Sequence, residues 1–132
     1  PFADSIHNVG YVPHHESIAW LLRSNVLLLI VDEAPESAAI VPGKVYEYLG
    51  TKRAVLALAP HGSAIAELVQ QTQAGISVPQ SDVEGIANAI AAMFDRWKQG
   101  LPLAQPHSGA IEQYERKHAA FQLAQLLTTL TS

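Results

Sequence analysis

Cysteine is absent from the 132 residues, which excludes disulfides and thiolate-held metals and fits an ordinary cytoplasmic protein. Basic residues are scarce, eight Lys and Arg against twelve Asp and Glu, for a net charge of −4. A nucleic-acid footprint needs a basic patch, so no nucleic-acid partner is expected. No apolar run approaches the ~20 residues of a membrane-spanning helix, and no signal-peptide pattern is visible. The two common phosphate-loop signatures, GxxxxGK[ST] and GxGxxG, are missing as well. What is present is a chain 48% apolar, of single-domain size and with enough apolar residues for a substantial core. It opens on Pro1, without a methionine and inside a loop-like stretch, so a fragment of a longer protein is expected.

Four short β-rich runs recur: Asn8 to Val12, Val26 to Val31, Ala54 to Ala59 and Ile76 to Val78. Helical patterns separate them. Ser17 to Arg23 places Ile18, Leu21 and Leu22 on one face, with Glu16 or Ser17 as its cap. Gly43 to Leu49 carries Val45, Tyr48 and Leu49 at i, i+3, i+4. Ala64 to Gln73 carries Ile65, Leu68 and Val69, and Gly75 is read as its stop. A longer helix capped by Ser81 or Asp82 should bury Ile86, Ile90, Met93 and Trp97 and end at Gly100. Residues 100–109 read as a loop, and a C-terminal helix follows over about 110–130, with Tyr114, His118, Phe121, Leu123, Leu126, Leu127 and Leu130 at helical spacing. Such apolar runs, buried on both faces and alternating with helices, predict an α/β fold with a Rossmann-like, doubly wound parallel sheet in a single domain, residues 1–132.

In open α/β sheets, ligands bind beyond the carboxyl ends of the strands, where loops lead into helix N-termini. The loop Asp32 to Pro42 occupies that place and runs into Val41-Pro42-Gly43-Lys44. The first N–H groups of the helix it opens, together with the helix dipole, suit a phosphate. Gly43 lets the backbone approach closely, and Lys44 adds positive charge. Glu47, one turn on, can accept hydrogen bonds from both hydroxyls of a vicinal diol such as ribose. A nucleotide diphosphate fits this arrangement. From spacing alone the plainer reading is a simple helix start, with Pro42 at a favoured first-turn position and Lys44 and Glu47 as a solvated i, i+3 pair.

At these residues the sequence resembles a family. The segments "NVGYVPHHESIAWLLRSNVLLLIVDE", "VPGKVYEYLG", "AVLALAPHGSAIAELV", "AGISVP" and "SDVEGIANAI" are similar, in this order, to the nucleotide-sugar-binding C-terminal half of GT-B glycosyltransferases. The group 1, family 4-like retaining type of polysaccharide and lipopolysaccharide assembly resembles it most. The resemblance implies transfer of a sugar from a nucleotide diphosphate sugar to an acceptor held by an N-terminal domain. It implies a cytoplasmic enzyme, with room for peripheral association at the membrane, and no metal or other cofactor. Glu47 matches the second glutamate of the family's E-x7-E motif, which binds the donor's ribose. Pro42, Gly43, Lys44 and Val45 match the turn around the diphosphate, and Gly10, Tyr11 and Val12 match a strand-end segment near the base. The sequence departs from the pattern at Ala39, where the first glutamate would fall (Glu36 is nearby but out of register). It departs again at Lys52-Arg53-Ala54, which replace the usual Gly-Lys-Pro, with Gly50 two residues early.

Other candidates have plainer alternatives. His61 and Gly62 follow a strand and open a helix, so they either border the sugar pocket or form a turn. His14, His15 and Glu16 could suggest a metal, yet adjacent ring positions rarely converge on one ion, and a loop entering a helix is expected. Trp20 and Trp97 lie on helical stripes and read as core. Tyr114-Glu115-Arg116 resembles the start of the family's last helix, which packs back toward the N-terminal domain, and reads equally as an exposed charged turn. An uncovered apolar face on that helix would favour a homodimer. Two alternatives to a transferase stay open: a sugar-nucleotide epimerase of the same architecture, and a non-catalytic nucleotide-binding or interaction module.

Overall fold

The computed structural model describes residues 2–131, without the side chains at positions 118 and 122. Pro1 and the side chain of His118 therefore lie outside the described residues. The elements, in chain order, are α1 (His14–Arg23), β1 (Val26–Ile30), α2 (Lys44–Thr51), β2 (Ala54–Leu58), α3 (Ala64–Thr72), β3 (Gly75–Val78), α4 (Val83–Lys98) and α5 (Ser108–Thr131). Short 3-10 turns occupy Ala3–Ser5 and Pro35–Ala39.

The three strands form one parallel sheet in the order β1-β2-β3, with Leu28 opposite Leu56 and Leu56 opposite Ile76. Alternation of side chains across the pleat splits the core in two. On one face Leu29, Val55 and Ala57 pack with Val45 and Leu49 of α2, Ile65, Leu68 and Val69 of α3, and Ile111 of α5. On the other, Ala54, Leu56 and Val78 pack with Ala89 and Met93 of α4. Each large aliphatic side chain so buried contributes on the order of 1.5–3 kcal/mol. The result is an α/β fold with helices on both faces of a parallel sheet.

Several sequence expectations change. Asn8 to Val12 form no strand: the Gly10 backbone turns to a φ of +67°, its N–H is taken by the Asn8 side chain at 2.9 Å, and Tyr11 is 98% exposed. With three strands among the described residues rather than the four expected, β1 is an edge. Its burial is one-sided, since Leu27 and Leu29 are covered while Leu28 and Ile30 are 51% and 54% exposed. The α4 stripe is rotated from the expected one: Ala89 and Met93 are buried, whereas Ile90 and Trp97 are half exposed. Trp20 is likewise half exposed, so neither tryptophan is core.

Gly75 does not stop α3. Gln73 does so in the left-handed region at φ 52°, and Gly75 begins β3, where an added Cβ would lie 1.8 Å from the Val55 carbonyl oxygen. Neither Glu16 nor Ser17 caps α1, whose N-cap is Pro13. The cap of α4 is Asp82, which accepts from the Gly85 N–H at 2.8 Å. At the end of α2, Lys52 takes a φ of 56° while Gly50 stays inside the helix.

Candidate functional site

Parallel strands put all three carboxyl ends on one rim, and the loops leaving that rim are tied together. The Gln80 side-chain amide donates to the Val31 carbonyl. The Ser81 N–H donates to the Glu33 carboxylate at 3.2 Å, and the Ala34 N–H to Asp32 at 3.3 Å. These bonds fix the path from β1 toward α2.

Gly43 is the N-cap of α2, so Pro42 stands one position before the cap rather than in the first turn. The Val45 and Tyr46 N–H groups close back on the Pro42 and Gly43 carbonyls at 3.1 and 3.2 Å. The amides of Gly43 and Lys44 stand ahead of that closure, where helix geometry supplies no intrahelical acceptor. Gly43 has ordinary helical angles, and a Cβ added there would meet nothing within 4 Å. Gly43 is itself exposed, so this side of the helix start faces solvent. Lys44 is exposed, whereas Val45 is fully buried in the core and turns its side chain away from that side.

Glu47 lies in the first turn of α2, and its Oε1 is 2.6 Å from Nε2 of His14 at the start of α1. The sequence pointed to Glu47 but not to this partner, because the two meet only when α1 packs on α2. One carboxylate oxygen is engaged, and the other keeps its accepting capacity. Beside it, Tyr48 donates its hydroxyl to the Leu28 carbonyl at 3.3 Å. Burial, and then the Glu47 charge, push the Tyr48 phenol above its ordinary value of 10.0.

The remaining predicted residues are spread more widely. Gly10 and Tyr11 are exposed and Val12 is half-buried, in the segment that leads to His14. His61 and Gly62 form the turn after β2, with Gly62 at φ 69°. They line a cavity of about 450 Å³ against α3 and β3, which does not include Gly43, Lys44 or Glu47. Ser77, which the sequence reading passed over, also lines that cavity, and its buried hydroxyl has no hydrogen-bond partner. Ala39 ends the 3-10 turn before α2 and offers no carboxylate. His15 and Glu16 do not join His14 at Glu47, and among the described residues no group of three or more His, Asp or Glu is placed to hold a metal ion. No described helix is long and apolar enough to cross a membrane. Comparison with protein-family models, with curated proteins and with solved structures returned no match for this chain.

Proposed function

We propose that the chain is a nucleotide-sugar-binding domain of the doubly wound, GT-B type, serving a glycosyltransferase whose acceptor is held by a separate N-terminal domain. One observation carries the reading. An exposed helix start at Gly43 and Lys44, on the carboxyl side of the sheet, lies one turn from a carboxylate that still has an oxygen to offer. A diphosphate takes the amide donors and the helix dipole. The Glu47 carboxylate accepts from the ribose hydroxyls. In the sugar transfer itself, backbone donors and Lys44 would stabilise charge on the departing diphosphate, the usual role of pre-aimed donors.

Titration of uridine and guanosine diphosphates, followed by amide chemical shifts, tests this proposal. Shifts are expected at Gly43 to Glu47. Glu47→Ala should weaken binding roughly ten- to hundred-fold, since hydrogen bonds to a charged acceptor are worth about 1.5–3 kcal/mol. Gly43→Ala should leave the fold intact, because its Cβ meets only open space, yet weaken the nucleotide by filling the approach. Shifts located elsewhere, or two variants that bind like the parent, would overturn the reading.

A further inference from the structure

Two cavities at the amino ends of the strands adjoin one another, and their linings differ in chemistry. The first, of about 410 Å³, lies where α2 runs into β2 and has Lys52, Arg53, Asn25, Trp97, Leu101 and Leu103 in its lining. The second, of about 380 Å³, is a groove between α4 and the start of β1, lined by Val26, Ile90, Met93, Phe94, Trp97 and Leu103 along with Asn25. Asn25, Trp97 and Leu103 thus belong to both. Each volume falls in the range of roughly 300–1,000 Å³ usual for small-ligand sites.

The first cavity is cationic. No carboxylate lines it or the groove, although the chain holds twelve. Among the described residues, no acidic side chain pairs with Lys52 or Arg53. Both are exposed. One Arg53 nitrogen donates to the Leu22 carbonyl, which anchors the guanidinium and leaves its other donors open. The loop behind the shared wall is tied down as well. Arg96 donates its Nε proton to the Pro102 carbonyl at 2.7 Å, and the Gly100 and Leu101 N–H groups donate to the Trp97 and Arg96 carbonyls at 3.0 and 2.9 Å.

The groove is apolar apart from Asn25. Phe94 and Trp97 stack at 5.7 Å along its wall, and the Lys98 ammonium lies 5.6 Å from the Phe94 ring. Ile90, Phe94 and Trp97 are all half exposed. Leu28 and Ile30, on the same pleat face as Val26, continue the uncovered apolar surface along β1.

We infer that the paired cavities bind a single-chain anionic amphiphile, with its phosphate head at Lys52 and Arg53 and its hydrocarbon tail in the α4–β1 groove. The head's place follows from charge. Two unpaired cations make charge-assisted hydrogen bonds to a phosphate, and the planar fork of an arginine suits its oxygens. The tail's place follows from the half-exposed apolar lining, which a hydrocarbon chain removes from water. A compact anion would leave the groove empty, and a neutral hydrocarbon would leave both cations unused. The α5 stripe of Leu123, Leu126, Leu127 and Leu130 is uncovered too, but residues 119–131 carry no Lys or Arg to receive a head. The eight residues of α2 put about 12 Å of helix between these cations and Gly43. The amphiphile site therefore stands or falls independently of the nucleotide site.

Dodecyl phosphate, kept below its micelle-forming concentration, is titrated calorimetrically into the chain, with inorganic phosphate and an uncharged dodecyl polyoxyethylene ether as comparisons. The expected result is one amphiphile per chain, a shift in tryptophan fluorescence that Trp97→Phe removes, and at least ten-fold weaker binding of both comparisons. Arg53→Gln should weaken dodecyl phosphate roughly ten-fold without changing the uncharged ether. Ile90→Glu, at a half-exposed position, should weaken both amphiphiles while leaving the circular dichroism unchanged. Equal affinity for the charged and uncharged heads would overturn the cationic head site. Inorganic phosphate binding as tightly as dodecyl phosphate would overturn the tail groove. Binding to anionic phospholipid vesicles with no uptake of the monomer would overturn the pocket in favour of a membrane-facing surface, and no binding at all would reject the inference outright.

Discussion

Nε2 of His14 stands 2.6 Å from Oε1 of Glu47, although 33 positions separate them in sequence. The pair joins the first turn of α1 to the first turn of α2, so the carboxylate proposed to hold a ribose is oriented from outside its own helix. A carboxylate held by one oxygen loses less freedom when a ligand takes the other.

His14→Ala should therefore weaken nucleoside diphosphate binding without abolishing it. A net hydrogen bond is worth about 0.5–1.5 kcal/mol, or roughly two- to ten-fold in affinity. The exposure of His14 puts the expected effect toward the lower end. Calorimetric titration of the parent, His14→Ala and the double variant with Glu47→Ala measures it. If His14 acts only through Glu47, its loss should cost nothing further once Glu47 is gone. Two additive losses would show that His14 touches the ligand itself.

The strands that were legible in the sequence, β1 to β3, are short apolar runs bounded by polar or glycine-containing loops, and their helices carried clear i, i+3, i+4 stripes. What misled was context that a local pattern does not contain. Asn8 to Val12 has strand composition but no neighbouring strand, and the Asn8 side chain offers Gly10 a turn instead. Leu28 and Ile30 look like core from the run they belong to, yet α4 packs over β2 and β3 on that face and leaves both half exposed. The candidate site divides in the same way. The Pro42 to Glu47 helix start was readable because its signals are local. His14 beside Glu47 and the unpartnered Ser77 hydroxyl depend on packing between distant segments.

Gly75 illustrates a glycine whose role was misread and whose test is direct. It is required by close approach of β2, since a Cβ would lie 1.8 Å from the Val55 oxygen and 2.7 Å from its carbonyl carbon. Overpacking typically costs about 1–3 kcal/mol, and a clash with backbone has no side chain to move aside. Gly75→Ala should lower the urea midpoint by at least that equivalent. An unchanged midpoint would mean that β3 can shift away from β2 at little cost.

Lys52 and Gln73 hold left-handed angles, φ 56° and 52°, at the ends of α2 and α3. A side chain in that region costs roughly 1–2 kcal/mol, partly offset by the greater freedom glycine would have in the unfolded chain. Lys52→Gly and Gln73→Gly should each stabilise the protein by about 0.5–1 kcal/mol. The two turns lie at the ends of different helices, so the gains should add. Chemical denaturation of the single and double variants checks both claims. A destabilising Lys52→Gly would show that its stem or charge contributes more than its backbone angle costs.

Tyr48 links the β1 edge to pH. Its phenol is half-buried, donates to the Leu28 carbonyl, and is held above 10.0 by burial first and the Glu47 charge second. The folded state thus keeps this proton where the unfolded chain gives it up. Below the ordinary value the tyrosine is neutral in both states and adds no pH dependence. As pH rises past it, the unfolded chain ionises first, and stability falls until the folded pKa is reached. Tyr48→Phe should be less stable than the parent near neutral pH, because the hydrogen bond to Leu28 is lost. The gap should narrow as pH climbs above about 10, since phenylalanine has no proton to lose. Urea midpoints of both proteins across that range decide the matter. A gap that stays constant through the titration would mean that the Tyr48 hydroxyl is as open to water as in the unfolded chain.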